Sequence, residues 1–230
     1  DFFLPVLADV LTSGVKAKIL STLTSKIIAT MFSEGASLTE TVETIASTLP
    51  VCRDRGVAYS TFTIIRIQND GKVYIAEFDN PLTVYVKNGK ITPLERKEIQ
   101  IDTKTIYTCE FYAQPSDKII TFSDGVVHAG VGRLLDLGWQ YDNAVKYIGE
   151  NLYPDSSPLI LSRKILSAVN ALYMQQPGDD STVCVLSIKP ATPLTIMVGP
   201  PVDKEMDEVV VKKLMSSKGL KVVCGGTTSQ

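Results

Sequence analysis

The chain has 230 residues, of which 44% are apolar and 21% are charged, and its formal net charge at pH 7 is −2. This composition is ordinary for a globular protein. The small negative charge provides no electrostatic attraction for nucleic acid, so we exclude a nucleic-acid partner. No apolar run is long enough to span a bilayer, and no secretory signal peptide is recognisable, so we expect no membrane segment in this chain.

The cysteine and histidine content limits the kinds of metal site. The four cysteines form neither a C-x-x-C pair nor a zinc-binding spacing, and there is a single histidine. We therefore expect free thiols in a reducing, cytoplasmic compartment. Any metal site must be built from carboxylates, which select hard cations such as Mg²⁺ or Mn²⁺.

The first part of the chain predicts a strand followed by two helices. Residues 4–10 predict a strand that ends at Asp9. Residues 13–32 predict a long helix, which Gly35 ends. Its apolar stripe, widened by Leu20, Ile28 and Phe32, is predicted to run through Val15, Ile19, Leu23, Ile27 and Met31. Ser37 and Glu40 fit a capping box that opens a second helix, ending at Pro50.

From residue 59 the apolar period changes from 3.6 to about two, which indicates strands. Turn signals at Asn69-Asp70-Gly71 and at Asn88-Gly89 predict hairpins. Together they predict an antiparallel meander that continues to Ser123.

After Gly132 the pattern is helical again, from about residue 134 to 152 and from 160 to 172, and residues 181–188 predict a final strand. Prolines near residue 190 mark a change of composition. We therefore predict an α+β domain over residues 1–190 and a strand–helix–strand appendage over residues 191–230. The Gly225-Gly226-Thr227-Thr228 segment is interpreted either as a flexible tail or as an anion-binding turn.

Three aspartates lie at predicted strand ends. Asp9 ends the first strand, Asp124 follows the apolar run 119–122, and Asp179 precedes the final strand. Either they are three separate turn residues, or the strands bring their carboxylates together. In the second case their mutual repulsion would be relieved by two Mg²⁺ or Mn²⁺ ions bound between them.

Three segments that contain these aspartates resemble, in order, the signature motifs of the SpoIIE branch of the PP2C-type (PPM) protein phosphatases. They are residues 8–17 (ADVLTSGVKA), 122–132 (FSDGVVHAGVG) and 178–182 (GDDST). The strand 58–63 (AYSTFT) and the turn 79–81 (DNP) are also similar to that branch. The resemblance extends from about residue 6 to 189 and leaves the appendage outside it.

The resemblance implies a sandwich of two antiparallel sheets flanked by helices, with a binuclear Mn²⁺/Mg²⁺ site at the sheet edges. It implies that Asp9 bridges the ions, that the Val10 carbonyl is a second ligand, and that Asp124 and Asp179 complete the site. Asp180 is a neighbouring carboxylate, and Gly125 is expected to leave room beside the ions. The implied reaction is hydrolysis of protein phosphoserine or phosphothreonine by a water that bridges the two ions. The implied setting is bacterial regulatory signalling, where the substrate is a phosphorylated protein such as an anti-sigma-factor antagonist.

Thr12 departs from the family pattern because it replaces a glycine in the first motif. This substitution favours an alternative, a pseudophosphatase that keeps the fold for binding or sensing but has little turnover. His128 is the only candidate proton shuttle, although the family assigns no acid role to its position, and we interpret it as structural or substrate-facing. Lys16 and Arg55 are candidate phosphate contacts.

Overall fold

The computed structural model describes residues 2–10, 14–48, 60–101, 104–153, 156–190 and 192–225. The chain divides into two compact units, Asp1–Ile188 and Lys189–Gln230. Thr12 and Arg55 lie outside the described residues, as does the side chain of Lys16. Among the helices of the described ranges, none combines the length and the apolar character needed to cross a membrane.

The first unit contains ten strands and five helices in its described part. The strands are β1 (Phe2–Phe3), β2 (Val6–Val10), β3 (Ser60–Gln68), β4 (Lys72–Phe78), β5 (Val84–Lys87), β6 (Lys90–Thr92), β7 (Lys97–Ile101), β8 (Lys104–Tyr112), β9 (Lys118–Phe122) and β10 (Val183–Ser187). The helices are α1 (Val15–Ser33), α2 (Leu38–Thr48), α3 (Asp124–Val127), α4 (Tyr141–Glu150) and α5 (Pro158–Leu172).

The strands of the first unit form two antiparallel sheets. The larger sheet has the order β1-β3-β4-β8-β7. Strand β2 also pairs with β3: β1 pairs with the C-terminal end of β3 and β2 with its N-terminal part. The smaller sheet has the order β10-β9-β5-β6. Both predicted hairpins are confirmed: Gly71 donates its N–H to the Gln68 carbonyl between β3 and β4, and Asn88 and Gly89 both have positive φ between β5 and β6.

Three apolar clusters define a layered sandwich. The first joins α1 and α2 to the larger sheet through residues such as Ile28, Val42 and Phe62. The second joins the smaller sheet to α3, α4 and α5, and the third, which includes Ile75 and Ile119, lies between the sheets. The predicted α+β sandwich, with two antiparallel sheets and helices packed on them, is confirmed.

The predicted capping box at the start of α2 is also confirmed. The Glu40 carboxylate accepts the Ser37 N–H at 2.8 Å, and the Ser37 hydroxyl accepts the Glu40 N–H at 3.2 Å. This reciprocal pairing satisfies two donors that the first turn of a helix otherwise leaves free. The second helix therefore begins where the sequence pattern predicts.

The buried face of α1 agrees only in part with the predicted stripe. Ile28 and Phe32, which are predicted to widen the stripe, are buried together with Thr24, whereas Val15 and Ile19 are 77% and 60% exposed. A spacing of four residues advances a side chain by about 40° beyond a full turn at each step, so five residues at that spacing sweep across about 160° of the helix surface. The predicted stripe therefore crosses from the solvent face to the buried face instead of following one of them.

The helix predicted from residue 134 begins only at Tyr141. In the segment before it, Gly138 and Gln140 have φ values of 76° and 67°, which a right-handed helix cannot contain. The same segment folds back, since Val131 and Leu135 form an isolated bridge and Gln140 donates its N–H to the Val127 carbonyl. Residues 128–140 are therefore a folded loop between α3 and α4.

The second unit has the predicted strand–helix–strand order. Its strands β11 (Leu194–Val198) and β12 (Leu220–Cys224) are parallel, in a register that pairs Leu194 with Leu220. Helix α6 (Asp207–Ser216) connects them and buries Leu214. Of the Gly-Gly-Thr-Thr segment only Gly225 is described, so both interpretations of that segment concern residues outside the described part.

Candidate metal centre

Asp9 occupies a paired position on the edge strand β2, directly opposite Thr61 of β3. The Ser60 hydroxyl donates to the Asp9 carbonyl at 3.1 Å, and the Asp9 carboxylate accepts the Val10 N–H at 2.8 Å. The first bond holds the backbone of Asp9 and the second orients its carboxylate, while the residue is only partly buried. Val10 itself is buried, so the carbonyl assigned to it as a ligand belongs to a fixed strand end.

Asp124 is the first residue of α3 and is separated from the fully buried strand β9 by a single residue, Ser123. Ser123 is the N-cap of this helix but its side chain does not cap it. Instead the Ser123 hydroxyl donates to the Asp180 carbonyl at 3.2 Å and accepts the Thr182 N–H at 3.0 Å. A serine at this position would ordinarily cap its own helix. Here it instead links the segment that contains Asp124 (residues 122–132, the Asp124 motif) to the segment that contains Asp179 (residues 178–182, the Asp179 motif) by two hydrogen bonds.

Asp179 lies in the turn before β10, and its carboxylate accepts the Asp180 N–H at 2.8 Å. Strands β9 and β10 are antiparallel, and Phe122 at the end of β9 pairs with Val183 at the start of β10. The residues that follow one strand and precede the other must therefore meet at the same edge of the sheet. This register brings Asp124 and Asp179 together, although 54 residues lie between them.

Close packing of the backbone explains why residue 125 is glycine, whereas the resemblance implies that the glycine leaves room beside the ions. A Cβ atom at this position would run into the Asp180 carbonyl and would lie 2.9 Å from the Ser181 hydroxyl oxygen. The space beside Gly125 is therefore filled by the backbone of the Asp179 motif, and the expectation that it leaves room beside ions is not needed to explain the residue. Glycine permits the close approach of the two motifs.

The electrostatics of Asp9 link all three aspartates. Burial raises the pKa of Asp9 to about 6, and the charges of Asp124 and Asp179 and a side-chain hydrogen bond with Asp124 act in the same direction, against the lowering effect of the Val10 N–H. Burial also raises the pKa of Asp179, helped by the charges of Asp124 and Asp180. The three carboxylates come from distant parts of the chain, yet the charge of Asp124 disfavours ionisation of both Asp9 and Asp179, and that of Asp179 disfavours ionisation of Asp9.

The trio is an open arrangement. Within the part of the chain that the structure describes, no three His, Cys, Asp or Glu side chains converge tightly enough to enclose a single ion. Repulsion between like charges opposes a closer approach of the carboxylates. Their chemistry nonetheless fits hard divalent cations, because every side-chain donor is a carboxylate oxygen. Bound cations would favour the charged form of Asp9, which burial and, to a smaller extent, the charges of Asp124 and Asp179 disfavour.

His128 follows α3 and is exposed, and its charge acts to lower the pKa of Asp179. It is therefore close to Asp179 and open to solvent.

Two residues that support the site have no signal in the sequence. The Arg133 guanidinium donates to the Tyr173 and Gln176 carbonyls at 3.0 and 3.1 Å, and the Tyr173 hydroxyl donates to the Gly125 carbonyl at 2.8 Å. These contacts join residues 40 or more positions apart, so no local pattern marks them.

Solved structures of PP2C-type phosphatase domains share this fold. The PP2C phosphatase domain with a fragment of the regulatory domain of the cell fate determinant SpoIIE from Bacillus subtilis superposes with a TM-score of 0.66 at 18% identity, covering 84% of this chain and 55% of that one. The RsbU and RsbW domains of Rv1364c from Mycobacterium tuberculosis give a TM-score of 0.65 at 15% identity, with the same coverage of 84% and 55%. The present chain thus spans about half the length of these two proteins.

A third structure, the phosphatase domain of Bacillus subtilis SpoIIE in a crystal form without domain swapping, matches over 84% of this chain and 95% of its own length, with a TM-score of 0.57 at 17% identity. At these identities the structural likeness concerns the fold alone. No curated protein sequence matches the chain. The family model described as Stage II sporulation protein E (SpoIIE) matches residues 3–189. Because this match covers most of the chain, including all three aspartate motifs, the chain belongs to the SpoIIE family.

Proposed function

We propose that the chain is a metal-dependent phosphatase that hydrolyses phosphoserine or phosphothreonine on a protein. The observation that carries this proposal is the electrostatic contact among Asp9, Asp124 and Asp179, each from a different motif of the chain. Crowded carboxylates are destabilising unless protons or cations bind to them. A site in which burial and neighbouring charges disfavour ionised carboxylates is therefore a candidate cation-binding site.

We assign two Mn²⁺ or Mg²⁺ ions to the carboxylates of Asp9, Asp124 and Asp179 and to the Val10 carbonyl. Once bound, the ions would activate a water molecule and offset negative charge on the transferred phosphoryl group. The chain's own contribution is to position the ligands. Asp9 is held by the pairing of β2 with β3, and Asp124 is held through Ser123 against the loop of Asp179. Such preorganisation lowers the reorganisation that binding and reaction require.

For the partner we propose a phosphorylated regulatory protein, and an anti-sigma-factor antagonist is the first class to test. The family membership supports this choice. The exposure of His128 near Asp179 supports its substrate-facing interpretation over the structural one.

We also propose a cytoplasmic location, supported by the free thiols of the described cysteines Cys109, Cys184 and Cys224.

The test is phosphate release from a phosphoserine or phosphothreonine peptide and from p-nitrophenyl phosphate. Wild-type protein treated with a chelator should be inactive and should regain activity with Mn²⁺. The Asp124→Asn variant keeps the shape of the side chain but loses its charge, so we expect its rate to fall by roughly 100-fold or more, because the ions both activate the nucleophile and stabilise the transition state. The control is Asp142→Asn, the same change at an exposed residue in the first turn of α4, which should retain the wild-type rate.

Equal rates for wild type and Asp124→Asn would refute this site. The alternative is a pseudophosphatase, favoured by Thr12 in place of the glycine of the first motif. It predicts saturable Mn²⁺ and phosphopeptide binding by the wild-type protein without hydrolysis. In that case Thr12→Gly is the substitution that should restore turnover.

A further inference from the structure

Tyr173 is a buried residue whose side chain contacts both aspartate motifs of the candidate centre. It follows the last residue of α5, is 5% exposed, and packs in the apolar cluster between the smaller sheet and the helices. Its hydroxyl donates to the Gly125 carbonyl at 2.8 Å. Gly125 is the residue directly after Asp124, so this bond acts on the backbone that carries that carboxylate.

The Gly125 carbonyl depends on Tyr173 because α3 is only four residues long. In a longer helix this carbonyl would accept the N–H of Ala129. Here the Ala129 N–H points to the Val126 carbonyl at 3.4 Å instead, and Gly125 is buried. The tyrosine hydroxyl therefore supplies the partner that the short helix lacks, and a buried acceptor without a partner would be strongly unfavourable.

The ring of Tyr173 contacts the other motif. A Cβ atom on Gly178 would lie 3.3 Å from the ring carbon Cε1, so the edge of the ring packs directly against the residue before Asp179. Burial raises the pKa of Tyr173, and the charge of Asp179 acts in the same direction, whereas a hydrogen bond with the side chain of Ser181, two residues after Asp179, has a smaller lowering effect. One side chain thus touches the residue after Asp124 and the residue before Asp179.

We propose that Tyr173 is a positioning residue that sets the separation of Asp124 and Asp179 and so preorganises them to bind divalent cations. The inference rests on the proposed function, because it takes these carboxylates to be the metal ligands. A residue that only packs in the core would not need its hydroxyl group, which adds nothing to apolar packing. If Tyr173 positions the carboxylates, its hydroxyl group should instead govern the affinity for Mn²⁺.

The test compares two tyrosine-to-phenylalanine variants of the full chain. Tyr173→Phe removes the hydroxyl that holds Gly125. The matched control is Tyr85→Phe, since Tyr85 is 4% exposed and donates its hydroxyl to the Asp117 carboxylate at 2.5 Å, between the sheets. Both variants lose one buried hydrogen bond, and both should melt at a lower temperature than wild type. Only Tyr173→Phe changes a contact with the aspartate motifs.

Mn²⁺ binding is measured on metal-free protein by counting free Mn²⁺ with electron paramagnetic resonance, at a temperature where circular dichroism shows each variant folded. The apparent Kd for Mn²⁺ should rise about tenfold in Tyr173→Phe, as is usual when a residue that orients metal ligands is removed. It should stay at the wild-type value in Tyr85→Phe. If Tyr173→Phe does not fold, Gly178→Ala decides, because the added methyl group displaces the ring while the hydroxyl remains, and its Kd should also rise.

Two results would overturn the inference alone: a wild-type Kd in folded Tyr173→Phe, or an equal rise in Tyr173→Phe and Tyr85→Phe. If Tyr173→Phe is unfolded, a wild-type Kd in Gly178→Ala has the same meaning. Failure of the proposed function has a separate signature. A wild-type protein that binds no Mn²⁺ would overturn both the proposed function and the role of Tyr173. A wild-type protein that binds Mn²⁺ without releasing phosphate would refute only the enzymatic activity, and the comparison of Kd values would still decide the role of Tyr173.

Discussion

Replacing Gly125 by alanine should both destabilise the first unit and weaken metal binding. The new Cβ would run into the Asp180 carbonyl and would lie 2.9 Å from the Ser181 hydroxyl oxygen. The first of these is a backbone atom, so relief requires a shift of the loop and not merely a side-chain rotation. Overpacking of a buried site lowers the free energy of unfolding by about 1–3 kcal/mol. Because the clash is with a backbone atom, we expect a loss in the upper part of that range.

The expected fall in melting temperature follows from the size of the unit. In a domain of this length, each kcal/mol lowers Tm by about 2–4 °C. A cost of about 2–3 kcal/mol therefore lowers Tm by about 4–12 °C. Because the displaced loop carries Asp179, the affinity for Mn²⁺ should fall in the same variant.

The assay is a thermal melt followed by circular dichroism, with and without Mn²⁺. The control is Gly149→Ala in α4, where the added Cβ would meet only the end of the Ile91 side chain, at 3.3 Å. Alanine is also the better helix former, by about 0.5–1 kcal/mol, so this control should melt at or slightly above the wild-type temperature. A Gly125→Ala variant with wild-type Tm and Mn²⁺ affinity would refute the close packing of the two motifs as the reason for this glycine.

Two further predictions concern the appendage and the thiols. A chain that ends after Lys189 should fold, melt like the first unit of the full chain and bind Mn²⁺, because the two units are separately compact; aggregation of this truncation would show that the appendage belongs to the core. Burial raises the pKa of Cys109 to about 11 and also raises that of Cys184, so iodoacetamide at pH 8 should label both slowly and leave phosphate release unchanged. Rapid labelling of Cys109 in the folded protein would contradict its burial.

The hairpins and the aspartate motifs were predictable because their signals are local. An Asn-Gly pair between alternating apolar residues specifies a turn with positive φ, as at Asn88 and Gly89. Each of the three aspartates lies at or near the end of a strand that the sequence predicts. The sequence therefore identified the candidate ligands, and the register of β9 and β10 explains why two of them meet.

The features that sequence reasoning missed depend on contacts between distant residues. Nothing near Tyr173 in the sequence indicates its bond to Gly125, which is 48 residues away. The buried face of α1 is decided by which residues the larger sheet covers, and an apolar residue such as Ile19 remains 60% exposed. The apolar pattern predicts a helix from about residue 134, but residues 134–140 fold against α3, with positive φ values at Gly138 and Gln140.

The most direct test of the proposed site is a crystal of the chain soaked in Mn²⁺ and measured at a wavelength where manganese scatters anomalously. We predict two anomalous peaks among Asp9, Asp124 and Asp179, each about 2.0–2.3 Å from carboxylate oxygens, as hard divalent cations require. The Val10 carbonyl should also contact one of them. Fully soaked crystals with no peak at these residues, or with manganese bound only elsewhere on the chain, would contradict the assignment of the metal site.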